Sequence, residues 1–235
     1  MNSSSPAEMK STDELSGIDP RRLHFARMGV LGFLASALFL AYLTRHSLAL
    51  VNTTMQRELG INNEQFGWLV SAFSAGYLLC QIPGGWLGQR FGTRRMLGSF
   101  PILWSVMTSI TALVGSLWTL ICVRFVFGLA QAGLVPNQAQ VVKDWFPEQR
   151  RATASSVLMA AMQVGGLASL ALTGWIITIW DWRTVFHFYG LLGICWAVLF
   201  FWFFRSSPRE MQWLRDDSAE VSSETHSSPH KIASP

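Results

Sequence analysis

The sequence carries little charge. Of its 235 residues, 14% are Asp, Glu, Lys or Arg, whereas 50% are hydrophobic and 13% are aromatic. A soluble domain has about 25% charged residues, so the composition argues against one. The sparse charges also leave uncharged runs of roughly 18 to 25 residues, the length that a helix needs to cross a bilayer.

Cysteines and catalytic motifs are scarce as well. Cys80, Cys122 and Cys195 each lie inside an apolar run without CxxC spacing. This placement argues against a disulfide framework or a zinc site and indicates packing residues. The apolar runs contain no HExxH motif, no pair of aspartates and no nucleophilic serine elbow. We therefore predict no catalytic residue, metal or cofactor, and an intramembrane enzyme is disfavoured.

Six long apolar runs follow one another along the chain. They cover residues 28–50, 66–88, 96–115, 117–141, 152–179 and 185–204. Each is long enough to span a bilayer as a helix. We predict an all-α membrane protein with six transmembrane helices.

The two ends of the sequence are polar. Residues 1–20 are rich in Ser, Asp and Glu, and residues 209–235 contain few groups that a core could bury. We predict that both are disordered and that residues 21–208 form the membrane domain. Residues 1–27 lack an apolar core followed by a small-residue cleavage site, so we expect no cleavable signal peptide.

Basic residues lie at the ends of the apolar runs and form no continuous patch, so a nucleic-acid partner is not expected despite the formal charge of +4. In the loops after the first and fifth runs, the only basic residues are Arg57 and Arg183. Four groups of three lie on the other side: Arg21, Arg22, Arg27, Arg90, Arg94, Arg95, Lys143, Arg150, Arg151, Arg205, Arg209 and Arg215. The positive-inside rule then places both termini in the cytoplasm.

Small residues recur at helical spacing in the second and fifth runs. The positions are Ala72, Gly76, Cys80, Gly84 and Gly88, and then Gly165, Ser169 and Thr173. Such a face lets a neighbouring helix approach closely, either for static packing or for helices that slide past each other.

The loop after the second run combines glycine with arginine. Gly92 permits a tight reversal, and the arginines hold the loop in the cytoplasm while offering donors to helix C-terminal carbonyls. The segment GWLGQRFGTRRML at 85–97 resembles the signature loop of the major facilitator superfamily, G-x-L-x-D-R-x-G-R-R. This resemblance assigns to the conformational loop Gly85, Gln89, Arg90, Gly92, Arg94 and Arg95.

Further motifs extend the resemblance over residues 22–208. RFVFGL at 124–129, WFPEQRRA at 145–152 and WRTVF at 182–186 look like that family's anion:cation symporter branch, which includes sialic acid, hexuronate, galactonate and phthalate permeases. Members of the branch have twelve helices in two halves that rock around a substrate held between them. The resemblance implies that six helices need a second six-helix half or a homodimer partner, with the polar tail resembling the central linker.

Three acidic positions of the branch are neutral here. Thr44 and Gln131 replace acids that the resemblance associates with proton coupling, and Gln89 replaces the acid of the signature loop. A proton-driven cycle that uses this half is therefore in doubt. Coupling to H⁺, to Na⁺ or to neither stays open.

Arg45 is the first candidate for a substrate contact. A guanidinium at the bilayer centre costs at least a few kcal/mol unless it faces a cavity, a partner or an anion. Its fork of donors fits a carboxylate. The alternative is that Arg45 snorkels to the outer headgroups, since Asn52 marks the helix end. The resemblance favours anion binding.

Other polar groups lie at membrane depth. Gln131, Asn137 and Gln138 surround Pro136 in the fourth run, and they either bind the hydroxyls of a sugar acid or bond between helices. The resemblance favours Gln131 as the substrate contact. The remaining substrate-binding candidates, with the same two alternatives, are Tyr42, Tyr77 and Gln163.

Two further ionisable residues accompany these candidates. His46 follows Arg45 directly, and it either titrates near neutral pH or serves as a helix contact. Arg124 is expected to be structural or to snorkel. The apolar runs predict a multi-pass protein of the cell membrane, and the resemblance implies that it transports a small organic anion, such as a sugar acid, by alternating access, together with a second six-helix half. The alternative is a truncated, non-transporting membrane protein that acts by binding other membrane proteins.

Overall fold

A computed structural model describes residues 20–204 of the chain, and eight α-helices form over that range. They are α1 Pro20–Leu50, α2 Asn52–Leu59, α3 Asn63–Phe91, α4 Thr93–Leu113, α5 Leu117–Ala132, α6 Leu134–Trp145, α7 Glu148–Ile179 and α8 Trp182–Phe203. Six candidate membrane spans result, with α5 and α6 forming one of them. The predicted all-α class and the six transmembrane helices are confirmed.

The chain divides into two units, and the described residues of the first are 20–29, whereas the second covers residues 30–206. The described part of the first unit is the start of α1, where the rings of His24 and Phe25 lie in a T-shaped arrangement with centroids 6.4 Å apart. The second unit holds the rest of the bundle. The predictions of disorder and of a linker-like tail concern residues that lie outside the described range, apart from Pro20.

The fourth span is interrupted at its centre. Pro136 has no N–H, and its ring clashes with the carbonyl four residues earlier, so the α-helical ladder breaks near Gly133. The Asn137 side chain donates from Nδ2 to the Gly133 carbonyl at 2.6 Å. The same carbonyl also accepts from the Asn137 N–H at 3.4 Å, so the side-chain bond reinforces the backbone beside the break.

The small-residue face of α3 packs against α5 and α6. A side chain at Gly76 would overlap the Phe125 carbonyl, and one at Gly128 would overlap the Phe73 carbonyl. The two backbones therefore touch at a pair of facing glycines. This contact confirms the predicted close approach and places the aromatic residues of α3 beside α5.

The small residues of α7 face α1 and α8. Gly165 lies under the Phe39 carbonyl. Ser169 donates from Oγ to the Leu43 carbonyl at 2.8 Å, and the hydroxyls of Thr173 and Tyr189 are 2.8 Å apart. Close packing and interhelical hydrogen bonds therefore hold α7, as its spacing predicts.

Arginines cap helix ends at the side where α3 turns into α4. Gly92 adopts a φ of 93°, a conformation that glycine reaches without strain, and α4 begins at the next residue. Arg94 donates from Nη2 to the Phe201 carbonyl at 2.6 Å, near the C-terminus of α8. Arg151 donates to the Phe146 carbonyl at 3.1 Å, after the end of α6. The arginine of the signature loop thus bonds a helix C-terminal carbonyl, as expected.

The remaining signature-loop residues surround this turn. Gly85 faces the Pro136 ring, which a side chain at position 85 would contact. Arg90 stacks over Trp86 at 5.0 Å. Gln89 and Arg95 are exposed.

An acidic residue joins two elements at the opposite side of the bundle. Glu58 of α2 accepts hydrogen bonds from Trp182 Nε1 and from Arg183, at the start of α8. The hydrogen bond from Trp182, together with the hydrogen bond and charge of Arg183, lowers the pKa of Glu58 below its ordinary value. This contact ties the segment after the first span to the start of the sixth.

Candidate anion site

Arg45 is joined to the fourth span by a hydrogen bond. Its Nε donates to Gln131 Oε1 at 3.0 Å. Gln131 Nε2 in turn donates to the Ala41 carbonyl at 3.0 Å and to Thr44 Oγ1 at 3.2 Å. The reversed amide would turn its NH₂ group toward the Arg45 N–H, so this orientation alone satisfies all three contacts. Gln131 therefore fixes Arg45 without neutralising it.

Three aromatic rings surround the guanidinium. Its Cζ lies 4.6 Å from the Tyr42 ring centroid, 5.0 Å from that of Phe73 and 4.9 Å from that of Tyr77. Each cation–π contact contributes roughly 0.5 to 2 kcal/mol, depending on desolvation. We call Tyr42, Thr44, Arg45, Phe73, Tyr77 and Gln131 the Arg45 cluster.

The Arg45 cluster lies at mid-depth in the bundle. Gln131 is the central residue of the span Leu117–Trp145, and Tyr77 is the central residue of α3. Each stands about 21 Å from both ends of its span, at a rise of 1.5 Å per residue. Arg45 itself is five residues from the end of α1, yet its side chain contacts these two midpoints. The geometry favours a position inside the bundle over snorkelling to the headgroups.

The outer edge of the guanidinium has no acidic partner. Arg45 is half-buried, and within residues 20–204 no carboxylate forms an ion pair with it. The five acidic residues of that range are Glu58, Glu64, Asp144, Glu148 and Asp181, all at or beyond span ends. The Nη groups, whose donors lie parallel, can therefore receive a carboxylate in a two-bond geometry.

Two predicted substrate contacts are instead bonded between helices. Asn137 and Gln138 are each 1% exposed. Asn137 donates from Nδ2 to the Gly84 carbonyl at 2.9 Å, and Gln138 donates from Nε2 to the Leu34 carbonyl at 2.9 Å. Of the two alternatives open in the sequence, these side chains take the interhelical one in this structure.

The other candidates divide between two locations. Tyr42 and Tyr77 belong to the Arg45 cluster, and neither hydroxyl has a hydrogen-bond partner in the described part of the chain. Gln163 is exposed on α7, three residues before Gly166. No hydrogen bond joins Gln163 to Arg45 over residues 20–204.

The sequence reasoning missed Phe73. It lies one helical turn before Tyr77, so aromatic residues at i and i+4 on the second span were the available signal. Phe73 lies beside Arg45 because the contact between Gly76 and Gly128 brings α3 and α5 together. The sequence around Phe73 carries no information about that long-range contact.

Arg124 occupies a separate position between aromatic rings. It is 2% exposed, and its Cζ lies 5.3 Å from the Phe127 and Phe186 ring centroids. Its Nε and Nη2 have no acceptor among the described residues. Arg124 is therefore a buried residue packed between α5 and α8, and its guanidinium does not reach the surface of the bundle.

The fold and its central arginine define a class: a multi-pass integral membrane protein with a cation held at mid-depth. The chain belongs to the Major Facilitator Superfamily, whose family model matches residues 34–230. The match includes the Arg45 cluster and all six spans except the beginning of the first.

Curated relatives support this assignment. The chain is 27% identical over 213 residues to the hexuronate transporter of Escherichia coli, covering 91% of this chain and 49% of that protein. It is 34% identical over 167 residues to a probable galactarate/D-glucarate transporter of E. coli, covering 68% and 37%. A D-galactonate transporter of E. coli is 32% identical over 189 residues, covering 77% and 44%. The chain thus spans about half the length of the curated relatives it matches, or somewhat less.

A solved structure shows the same fold. A bacterial homologue of the human lysosomal transporter Spinster, inward-facing and unoccupied, aligns with a TM-score of 0.68 at 23% identity. The alignment covers 79% of this chain and 44% of that structure. At this identity the likeness concerns the fold alone.

Proposed function

We propose that this chain forms half of a carrier for small organic anions and that Arg45 is the anchor for their carboxylate. The observation that carries the proposal is a guanidinium at mid-depth, fixed through Nε by Gln131 and left without an acidic partner. An unneutralised cation in that position is costly unless an anion or water reaches it. A carboxylate on the Nη groups provides that partner.

Hydroxyl recognition is assigned to the tyrosines of the Arg45 cluster. The Gln131 amide is engaged at both ends, by Arg45 and by the backbone and hydroxyl of α1. Gln131 therefore affects substrate binding mainly by orienting the Arg45 side chain. The hydroxyls of Tyr42 and Tyr77 are the available groups for the hydroxyls of a sugar acid. This assignment agrees with relatives named for hexuronate, galactonate and galactarate/D-glucarate.

The transport cycle follows from the same arrangement. Six helices supply one wall of a pathway that lies between two halves in this fold, so alternating access requires a second six-helix half or a second copy of this chain. The placement of basic residues supports cytoplasmic termini, and bacterial relatives that are transporters support insertion in the inner membrane. Neutral Thr44 and Gln131 leave the wall without a carboxylate that could carry a proton.

Ligand binding separates this proposal from the alternative of a membrane protein that only binds other membrane proteins. The full chain, purified into lipid nanodiscs, is titrated with galactonate and with galactose, a neutral sugar. We expect saturable binding of the acid alone. Liposomes containing the monomeric chain should show no sustained uptake. Equal binding of both compounds, or of neither, would remove the carrier assignment.

A further inference from the structure

We infer that His46 is a second anchor for the substrate, so that the site takes dianions: Arg45 holds one acid group and protonated His46 holds the other. The inference rests on the proposed function of Arg45. It narrows the substrate class from organic anions to molecules with an acid group at each end of a short carbon chain. It also gives the chain one site at which a proton accompanies the substrate.

The two cations share one aromatic ring. The Tyr42 ring centroid lies 4.6 Å from Arg45 Cζ and 5.8 Å from the His46 ring centroid. The separation of the two cations is thus at most the sum of those distances. One small dianion that lies across the Tyr42 ring, and not on the line between the two cations, can therefore contact both through charge-assisted hydrogen bonds of about 2.8 Å.

His46 is available for such a contact. Its side chain is exposed, and no hydrogen bond involves it over residues 20–204. The His46 ring faces Gly166 of α7. A Cβ added at Gly166 would stand 3.4 Å from His46 Cδ2 and 3.6 Å from His46 Nε2. A side chain at position 166 would therefore be in ordinary van der Waals contact with this edge of the imidazole.

Few charges act on His46. Arg45 is the charged group that interacts with it. Residues 152–179 of α7 contain no charged side chain, and neither do residues 66–89 of α3. Arg124 is the charge of α5, and Lys143 and Asp144 lie at the far end of α6. On α2, Arg57 accompanies Glu58, whose carboxylate bonds Trp182 and Arg183.

The chemistry distinguishes dianions from monoanions. A neutral imidazole offers one donor, whereas an imidazolium offers two donors and a charge, and the ordinary titration of histidine lies near pH 6.5. A dianion bound at Arg45 draws a proton onto His46, so one dianion and one proton enter together. The guanidinium, the imidazolium and the two acid groups then sum to zero charge. The single acid group of a monoanion is paired by Arg45 alone, so the affinity of a monoanion does not increase when His46 is protonated.

The test uses two probes that differ at one end, galactarate with two carboxylates and galactonate with one. The full chain in nanodiscs is titrated by calorimetry at about pH 6 and about pH 8, on either side of the ordinary histidine titration. We expect the affinity for galactarate to be at least about tenfold higher at the lower pH, which is the effect of one charge-assisted hydrogen bond. The affinity for galactonate should change less than about twofold. Repeating the titration near neutral pH in buffers of different ionisation enthalpy should show proton uptake with galactarate alone.

Three variants complete the design. In His46→Gln the pH dependence and the proton uptake should vanish, and galactarate should bind with the weak affinity seen at high pH. His46→Lys keeps a fixed charge and should bind galactarate tightly at both pH values. His187→Gln is the matched control, because His187 is an exposed histidine on α8 outside the Arg45 cluster, and it should behave like the wild type.

The outcomes separate the two proposals. Galactarate binding that is independent of pH and takes up no proton would overturn the role of His46, while galactonate binding would still support Arg45. Proton uptake that persists in His46→Gln would overturn it as well. If neither acid binds, the proposed function fails together with the inference. The proton measurement on the wild type decides the matter even if His46→Gln does not fold.

Discussion

Arg45 and Gln131 are joined by a 3.0 Å hydrogen bond between α1 and α5, although 86 positions separate them in the sequence. The bond turns an arginine from near the end of α1 toward the centre of the bundle. Because the acceptor is an amide, the guanidinium keeps its full charge. The two residues thus form an oriented cation.

Substitution of Gln131 tests whether its neutrality matters. Gln131→Ala removes one neutral hydrogen bond and should weaken galactonate binding about fivefold, or about 1 kcal/mol. Gln131→Glu keeps the volume but places a carboxylate on Arg45, which then competes with the substrate. We expect a loss of roughly ten- to 150-fold from this competing charge-assisted pair. Calorimetric titrations measure both, and a larger loss in Gln131→Ala would contradict the role given to Gln131.

The glycine contact between α3 and α5 should be sensitive to a single methyl group. In Gly128→Ala the added Cβ meets the Phe73 carbonyl, so the backbones must separate. We expect a loss of about 2 kcal/mol or more, because overpacking at a backbone contact cannot relax locally.

Gly32→Ala is the control for Gly128→Ala. No atom of a neighbouring helix lies within 4 Å of a Cβ at Gly32, so this change should be neutral or should stabilise by up to about 1 kcal/mol through helix propensity. Unfolding of both variants by denaturing detergent provides the comparison. Equal stabilities would show that α3 and α5 are not in backbone contact.

Acid should loosen the contact between α2 and α8. The folded pKa of Glu58 lies below its ordinary value, so its contribution to stability is complete above that ordinary value and is lost as pH falls through the folded pKa. The glutamate is exposed, and an exposed pair contributes only about 0.2 to 1 kcal/mol. Between neutral pH and about pH 4, near the ordinary glutamate value, the thermal midpoint of wild type should fall slightly more than that of Glu58→Gln. Glu64→Gln serves as the control, and an equal fall in all three proteins would exclude the contribution.

Topology can be tested with single cysteines at Ser4 and Ser228 in a chain whose three natural cysteines are replaced. Both positions should resist a membrane-impermeant thiol reagent in intact cells, because the basic residues that flank the spans favour cytoplasmic termini. They should react once the membrane is opened. Labelling of either position from outside would reverse the orientation.

Much of the fold could be predicted from sequence, because hydropathy and small-residue spacing are local signals. The six spans and the close-packed faces of α3 and α7 follow from them. Five of the six spans begin before their apolar runs, since polar residues at helix ends can lie at headgroup depth, whereas α4 ends two residues before its run does, at Leu113. The break at Gly133 was not predicted, although Pro136 was noted nearby.

The site was predictable only in part. Arg45, Gln131, Tyr42 and Tyr77 were identified one by one from residue type and family position, but their assembly needs the approach of α1, α3 and α5. The same chemistry made Asn137 and Gln138 candidates, and both bond backbone carbonyls of neighbouring helices. An amide at membrane depth has both uses, and only the position of the neighbouring backbone distinguishes them.

The central claim is that the Arg45 guanidinium binds a carboxylate, and the most direct measurement is the affinity of the nanodisc-embedded chain for galactonate in wild type and Arg45→Lys. Arg57→Lys, in α2, is the matched control. Lysine keeps the charge but loses the planar pair of donors, so we predict a loss of roughly ten- to 150-fold, the worth of a charge-assisted bond of about 1.5 to 3 kcal/mol. An affinity in Arg45→Lys equal to those of wild type and Arg57→Lys would contradict the assignment of Arg45 as the carboxylate anchor.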